Sequence, residues 1–287
     1  MSTVLVTGAA SGIGRALVSA FAEAGFHVAA GVRDVASAEG LDAPGVTVVG
    51  LDVTDDAQVA DAIAEVGPLD VVVNNAGIAD SGPLETIEWE VARHVFEVNV
   101  WGALRVIRAV VGPMRERGHG TIVNISSVGG RTPSRGFHGV YMASKSALRS
   151  LSEALKWELD PFGVRVLLVE PGFVRTSIFD RAGFNAAVPA SPYADEEAWV
   201  REFYLRGAEM YGAPPEGVAH RVVHLVEDPT AGLYNPLGDD ATAGIEAARQ
   251  APDFEAWFEA ALTRVETVAG PRPSATPAPE PDAGGNR

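Results

Sequence analysis

The sequence contains no cysteine, and that absence removes several chemistries at once. Disulfide frameworks, thiolate zinc sites and cysteine nucleophiles are excluded. Positive charge is also scarce. Against 38 acidic residues stand 22 lysines and arginines, a formal net charge of −16. Such a surface repels nucleic acids and anionic membranes, so neither is expected as a partner, although a local basic pocket can still receive a phosphate. Long apolar runs are missing too: no window approaches the roughly 20 apolar residues of a membrane span. The chain opens Met1-Ser2-Thr3-Val4 straight into a strand-like run, without the basic and apolar regions of a cleaved signal. The six histidines never take a metal-like spacing. His220 and His224 are four apart but lack a third ligand, so no metal site is expected. These absences fit a soluble, cytoplasmic protein.

What is present is apolar content of 47% over 287 residues, enough for one large core. Short, β-branched runs at 3–7, 27–32, 46–52, 71–74, 121–126, 164–170 and 232–237 alternate with helical spacing at 14–24, 57–66, 89–114 and 141–160. Continuous rather than alternating apolar runs suit strands covered on both faces. Strand–helix alternation then implies right-handed crossovers and a parallel sheet. The expected fold class is α/β, a doubly wound, Rossmann-like three-layer sandwich. With no linker in sight, residues 1–266 read as one domain. Residues 177–215 break the rhythm with aromatics, small residues and prolines, as an inserted lid would. Residues 267–287, dense in Pro, Ala and Gly, are expected to form a disordered tail.

The first run leads into Thr7-Gly8-Ala9-Ala10-Ser11-Gly12-Ile13-Gly14 and then a helix. A strand that delivers a glycine turn to a helix N-terminus offers backbone N–H groups and a positive dipole end to phosphate. Glycine lets that backbone come close. Three residues, not one, separate the first two glycines. Thr-Gly-x-x-x-Gly-Ile-Gly resembles the signature of the short-chain dehydrogenase/reductase family, in its single-domain branch.

Further motifs of the family follow. At the end of the second run stand Val32-Arg33-Asp34; an acidic residue there grips a ribose diol, whereas an arginine accommodates a 2′-phosphate. The resemblance puts Val32 at the discriminating position and Arg33 next to it, which implies NADP, while Asp34 leaves NAD open. A solvated Arg–Asp pair is the plainer alternative. In Leu51-Asp52-Val53-Thr54, helix capping is the plain reading of Asp52, since Thr54 and Asp55 begin the next helix; the resemblance implies that Asp52 contacts the adenine, with Val53 beside it, which leaves the cap to Thr54. Asn75, Ala76 and Gly77 of Asn74-Asn75-Ala76-Gly77 are implied to line the cofactor groove. Pro171, Gly172, Val174 and Thr176 are implied to wrap the nicotinamide.

The chemical signal is Tyr141-Met142-Ala143-Ser144-Lys145. Residues four apart share a helix face, so phenol and ammonium become neighbours. A tyrosine with a pKa near 10 is a poor base at neutral pH, and a nearby cation is expected to lower it. A strand at 121–126 ends in two hydroxyls, Ser126 and Ser127, at the sheet edge where such folds bind ligands. The resemblance assigns substrate orientation to Ser127, leaves Ser126 to structure, and finds one residue more than the family spacing before Tyr141. The 131–139 loop is expected to absorb it. Asn99, a lone amide on an apolar helical face, is either a structural amide or the family's fourth catalytic residue, holding a kink and a water connected to Lys145.

Together these readings describe an oxidoreductase that moves hydride between NADP(H) and an alcohol or carbonyl, with Tyr141 as acid/base, Lys145 tuning it and binding the nicotinamide ribose, Ser127 positioning oxygen and Asn99 maintaining the relay. A catalytically silent NAD(P)-binding regulatory protein is the alternative from another class. The small-molecule substrate is expected to be apolar or cyclic. Trp199, Phe203, Tyr204, Tyr211 and Met210 either line its pocket or simply pack, and His138 either touches the substrate or, the plainer reading, decorates the loop. By analogy the chain forms a homodimer or homotetramer.

Overall fold

Every second side chain of a central strand points to the same face of the sheet. Val4 and Val6 of the first strand turn to one side and Leu5 to the other, and all three are fully buried. A computed structural model describes residues 1–41, 43–181 and 191–273 of the chain. Among them the order is β1 (Thr3–Thr7), α1 (Gly12–Glu23), β2 (His27–Val32), β3 (Val46–Gly50), α2 (Asp56–Val66), β4 (Val71–Asn74), α3 (Trp89–Phe96), α4 (Ala103–Arg117), β5 (Gly120–Ile125) and α5 (Gly139–Leu159). Then come β6 (Val164–Pro171), α6 (Ile178–Arg181), α7 (Ala194–Tyr211), α8 (Pro215–Glu227), β7 (Tyr234–Leu237), α9 (Asp239–Gln250) and α10 (Phe254–Ala269).

The strands pair in parallel throughout, in the order β3-β2-β1-β4-β5-β6-β7. The chain starts in the middle, winds outward to β3, returns and proceeds the other way from β4. Winding therefore reverses between β1 and β4, where doubly wound sheets open a crevice at the strands' carboxyl ends. Val4, Val6, Val71 and Val73 pack against α1 and α8. Leu5, Val72 and Ile122 pack against α2 and α4. Each fully buried Val, Leu or Ile contributes about 1.5–3 kcal/mol, which explains why the central strands are apolar on both faces. A third cluster stands apart: Trp199, Val200, Phe203 and Tyr204 of α7 against Val265 and Val268 of α10.

Three expectations shift. The helix expected over 89–114 is two helices joined by a π-helical turn, Glu97–Gly102, which carries Asn99. β3 ends at Gly50 and β5 at Ile125, which places Asp52, Ser126 and Ser127 in loops at the carboxyl edge. The boundary at residue 266 cuts a helix, because α10 runs on to Ala269 with Val268 buried in its cluster. Residues 274–287 of the expected tail, and 182–190 of the expected lid, lie outside the described residues. Among the described residues no helix is long and apolar enough to cross a membrane.

Candidate active site

A cleft of about 790 Å³ runs along the carboxyl edge of the sheet, from the glycine turn to α7 and α10. At one end α1 begins with Gly12, after Ser11 in extended geometry. Its first-turn N–H groups have no partner within the helix, and Ser11, Gly12 and Ile13 line the cleft. Gly8 and Gly12 take φ of +66° and +55°, a region an L side chain rarely adopts, and a Cβ on Gly8 would meet the Ala76 backbone. This backbone fits the pyrophosphate of a dinucleotide.

Of the residues implied to hold the cofactor, Arg33, Asp52, Val53, Asn75, Ala76 and Gly77 line the cleft, as do Pro171, Gly172, Val174 and Thr176. Thr7 and Gly14 do not. Thr7 is buried, and its hydroxyl oxygen accepts the N–H groups of Asn75 and Ala76 at 3.0 Å each. Its work is to tie the end of β1 to the loop after β4. Gly14 is packed so closely that a Cβ would strike the Gly8 carbonyl and the Asn75 amide. The helix cap expected of Thr54 belongs to Asp55, whose carboxylate accepts from Ala57 and Gln58. Thr54 instead donates both N–H and hydroxyl to Asp52. Asp34 caps the short turn after β2 through Ala36 N–H, so at this edge of the cleft Arg33 is the exposed cation.

The chemical groups meet at the middle. Asp80 begins the arrangement: its Oδ1 accepts Tyr141 N–H at 2.8 Å, capping α5 from another loop. Tyr141 therefore sits in the first turn of α5, facing the sheet edge. Ser127 stands beside the phenol, near enough to favour its ionised form, and its Oγ accepts Gly129 N–H at 3.1 Å. Ser126 turns away and donates to the Lys145 carbonyl. In the loop before Tyr141, Phe137 takes φ +60° and its carbonyl accepts Gly82 N–H.

Lys145 lies beneath the phenol ring, its Nζ 5.7 Å from the centroid, and donates to the Ile125 carbonyl at 2.9 Å. Burial pushes the ammonium down to about 8. Burial also pushes the Tyr141 phenol up to about 12, with Ser127 pulling the other way. The expectation that Lys145 lowers the phenol is thus not met in the protein alone. The ammonium is spent on a carbonyl, and desolvation of the phenol outweighs it.

Asn99 does not line the cleft. Buried in the π turn, its amide accepts from Ile78 N–H and donates to Ile78 C=O, both at 2.8 Å, and donates to Ser144 at 2.9 Å. It clamps the loop carrying Gly77. Asn99 Oδ1 and Lys145 Nζ each lie 3.4 Å from the place a Cβ on Gly77 would take, so a glycine there keeps the two groups near one another.

Several neighbours had no motif to announce them. His138, read as loop decoration, is buried and stacked on Tyr141; it donates from Nδ1 to the Asp80 carbonyl, and burial lowers it to about 4. Burial raises Asp80, whose Oδ2 has no partner. Phe203 and Tyr204 line the cleft with Phe173 and Phe179, whereas Trp199 packs inward and donates to the Gly270 carbonyl. Met210 and Tyr211 are exposed, as are His220 and His224. The cue available was the density of aromatics in α7; what they face depends on tertiary packing. Among the described residues no group of histidines and carboxylates could hold a metal.

Comparison with known proteins agrees with this architecture. The family profile described as short chain dehydrogenase matches residues 2–185. A short-chain dehydrogenase of Penicillium ochrochloron is 44% identical over 269 residues, covering 91% of this chain and 93% of its own. A Burkholderia phymatum short chain dehydrogenase/reductase solved in complex with NAD superposes with a TM-score of 0.75 at 26% identity, covering 87% and 93% of the two chains. One from Burkholderia cenocepacia, in complex with NADP, gives 0.72 at 26% identity, with 92% and 97% covered. The chain belongs to the short-chain dehydrogenase/reductase family. It is an oxidoreductase acting on CH–OH or C=O groups with a nicotinamide cofactor.

Proposed function

We propose that the protein interconverts an apolar, cyclic or aromatic carbonyl compound and its alcohol with NADP(H), using Tyr141 as the proton donor and acceptor. The observation that carries this is the meeting of Ser127, Tyr141 and Lys145 at the carboxyl edge of the sheet, in the cleft that begins at the glycine turn. The reduced nicotinamide, when bound, supplies hydride to the carbonyl carbon. Tyr141, protonated at neutral pH because burial holds it high, donates its proton to the oxygen as negative charge grows there. Ser127 bonds that same oxygen and fixes its position. Lys145 offers a cation beside the phenol, which steadies the phenolate left behind. Asn99 positions the Gly77 loop and Ser144 rather than touching the reacting atoms.

Arg33 supports NADP over NAD. It is exposed at the cleft edge, and the carboxylate next to it is engaged by the Ala36 N–H. Phe173, Phe179, Phe203 and Tyr204 support an apolar or cyclic substrate. Trp157 of α5, 84% exposed, with Trp101 and Phe162, supports self-association through α4 and α5.

The test follows the reduced-nicotinamide absorbance with NADPH and NADH across cyclic and aromatic ketones, with Tyr141→Phe as control. Turnover favouring NADPH and reduced at least a hundredfold in the variant is the expected result. Cofactor binding without turnover of any ketone would instead mark a silent nucleotide-binding protein. Undiminished turnover in Tyr141→Phe would place the proton elsewhere.

A further inference from the structure

Beyond Tyr141 the cleft is walled by Phe173, Phe179, Phe203 and Tyr204, yet two arginines, Arg135 and Arg264, also line it. Both are half-buried. In a chain with 38 acidic residues, half-buried arginines are normally paired. Arg105 meets Asp56 and Glu97, Arg131 meets Glu170, and Arg201 meets Glu197. Among the described residues neither Arg135 nor Arg264 has a carboxylate within ion-pair distance. The acids lining the same cleft are occupied. Asp34 holds Ala36 N–H, Asp52 holds Thr54, and Asp240 holds Phe173 N–H at 2.7 Å.

Arg135 is not loose. Its guanidinium lies 5.6 Å from the Phe203 ring centroid and 5.7 Å from that of Trp257, near enough to the Tyr204 phenol to favour its ionised form. Its Nε is buried without a partner. Arg264 follows Trp257 by seven residues on α10, which is two helical turns along the same face. Arg135 thus lies against Trp257, and Arg264 lines the cleft from the same face of α10. The His138 and Tyr204 rings stand in series beside the reacting groups: His138 is 4.5 Å from Tyr141 and 4.9 Å from Tyr204.

We infer that the substrate is a cyclic or aromatic oxo-acid or hydroxy-acid whose carboxylate is received by Arg135 and Arg264 while the carbon that exchanges hydride faces Tyr141. This rests on the reading of Tyr141 as the proton donor. A guanidinium in a partly desolvated, aromatic-walled pocket is stabilised by an anion that arrives with the ligand, and its planar fork matches a carboxylate. The aromatic walls take the ring system. An uncharged steroid-like or terpenoid substrate would leave both cations unanswered.

The test compares 4-(4-oxocyclohexyl)benzoate with its methyl ester, which share both rings and the ketone and differ by one methyl group and the charge. The wild-type protein with NADPH is expected to favour the acid over the ester in kcat/KM by roughly ten- to a hundredfold. That ratio falls toward one in Arg135→Met/Arg264→Met, and in the wild type it shrinks as salt rises from 0.05 to 0.5 M. The salt arm stands even if the double variant fails to fold. A wild-type ratio of one or below overturns the inference, and so does a high ratio unmoved by the variant. Reduction of other ketones on the panel, with neither probe turned over, also overturns it while leaving the oxidoreductase reading intact. If no ketone is reduced, the Tyr141 reading fails and this inference falls with it.

Discussion

The imidazole of His138 lies stacked on the phenol of Tyr141, ring centroids 4.5 Å apart and planes 23° from parallel. On its other side stands Tyr204, at 4.9 Å. The Nδ1–H is committed to the Asp80 carbonyl, and the Asp80 carboxylate holds the backbone of Tyr141. Helix start and phenol ring are therefore located by one loop. The ring has a fixed wall rather than solvent behind it.

That wall carries a pH cost. His138 is held at about 4 by burial, below its ordinary 6.5, so between these values the unfolded chain binds a proton that the native one refuses. Stability is then full above pH 6.5 and falls as pH drops toward 4, by on the order of 3 kcal/mol from this group. Asp80, raised by burial, acts with the opposite sign and is common to wild type and variant. Urea midpoints at pH 7 and 4.5 should fall further for wild type than for His138→Gln, which keeps a donor for the Asp80 carbonyl. Equal losses in the two proteins would disprove the assignment.

Lys145 predicts a basic limb. Its ammonium, lowered to about 8, is charged below that pH and neutral above it. The kcat/KM for NADPH, which reports the free enzyme, is expected to decline by about tenfold per unit above pH 8. Lys145→Arg, charged throughout, should lose activity overall but show no such decline. A limb that persists in Lys145→Arg would belong to another group.

Arg33→Ala should raise the KM for NADPH by roughly ten- to a hundredfold, the loss of one charge-assisted phosphate contact. NADH kinetics should move less than threefold. Equal effects on both cofactors would remove Arg33 from the discrimination.

Thr7→Val keeps the shape of a residue that does not reach the cleft and removes its hydroxyl. Asn75 N–H retains the Val73 carbonyl as a second partner, but Ala76 N–H loses its acceptor. A loss of about 1–3 kcal/mol is expected in chemical denaturation, with a raised KM for either cofactor as the Asn75–Gly77 loop loosens. An unchanged midpoint would mean that the loop is held by other contacts.

Much of the sheet could be read directly from the residues. Thr3–Thr7, His27–Val32 and Val71–Asn74 begin and end where their apolar runs do, because strands covered on both faces require nothing subtler than continuous Val, Leu and Ala. Tyr141 and Lys145 were also legible, since four-residue spacing is local. What was not legible depends on contacts far apart in sequence. Asn99 looked like one amide on one helix, but its partners Ile78 and Ser144 are 21 and 45 residues away, and the π turn appears only when they are met. His138 needed Asp80, 58 residues earlier, before it could be anything but a loop residue. The direction of the Tyr141 shift was missed for the same reason: spacing reveals a neighbouring charge but not the depth at which both groups lie.

The separate cluster of α7 and α10 has a consequence for how this molecule can change over time. The region matched to the family ends at residue 185, while Phe203, Tyr204, Trp257 and Arg264 all come later. Helices α7 and α10 bury apolar faces against one another rather than in the two cores that sandwich the sheet. Apart from Tyr204, which also meets the His138 ring, replacements inside that cap answer mainly to its own packing, so its lining can diverge while the reacting centre stays put. Reactivity and choosiness are then inherited almost independently within a single chain.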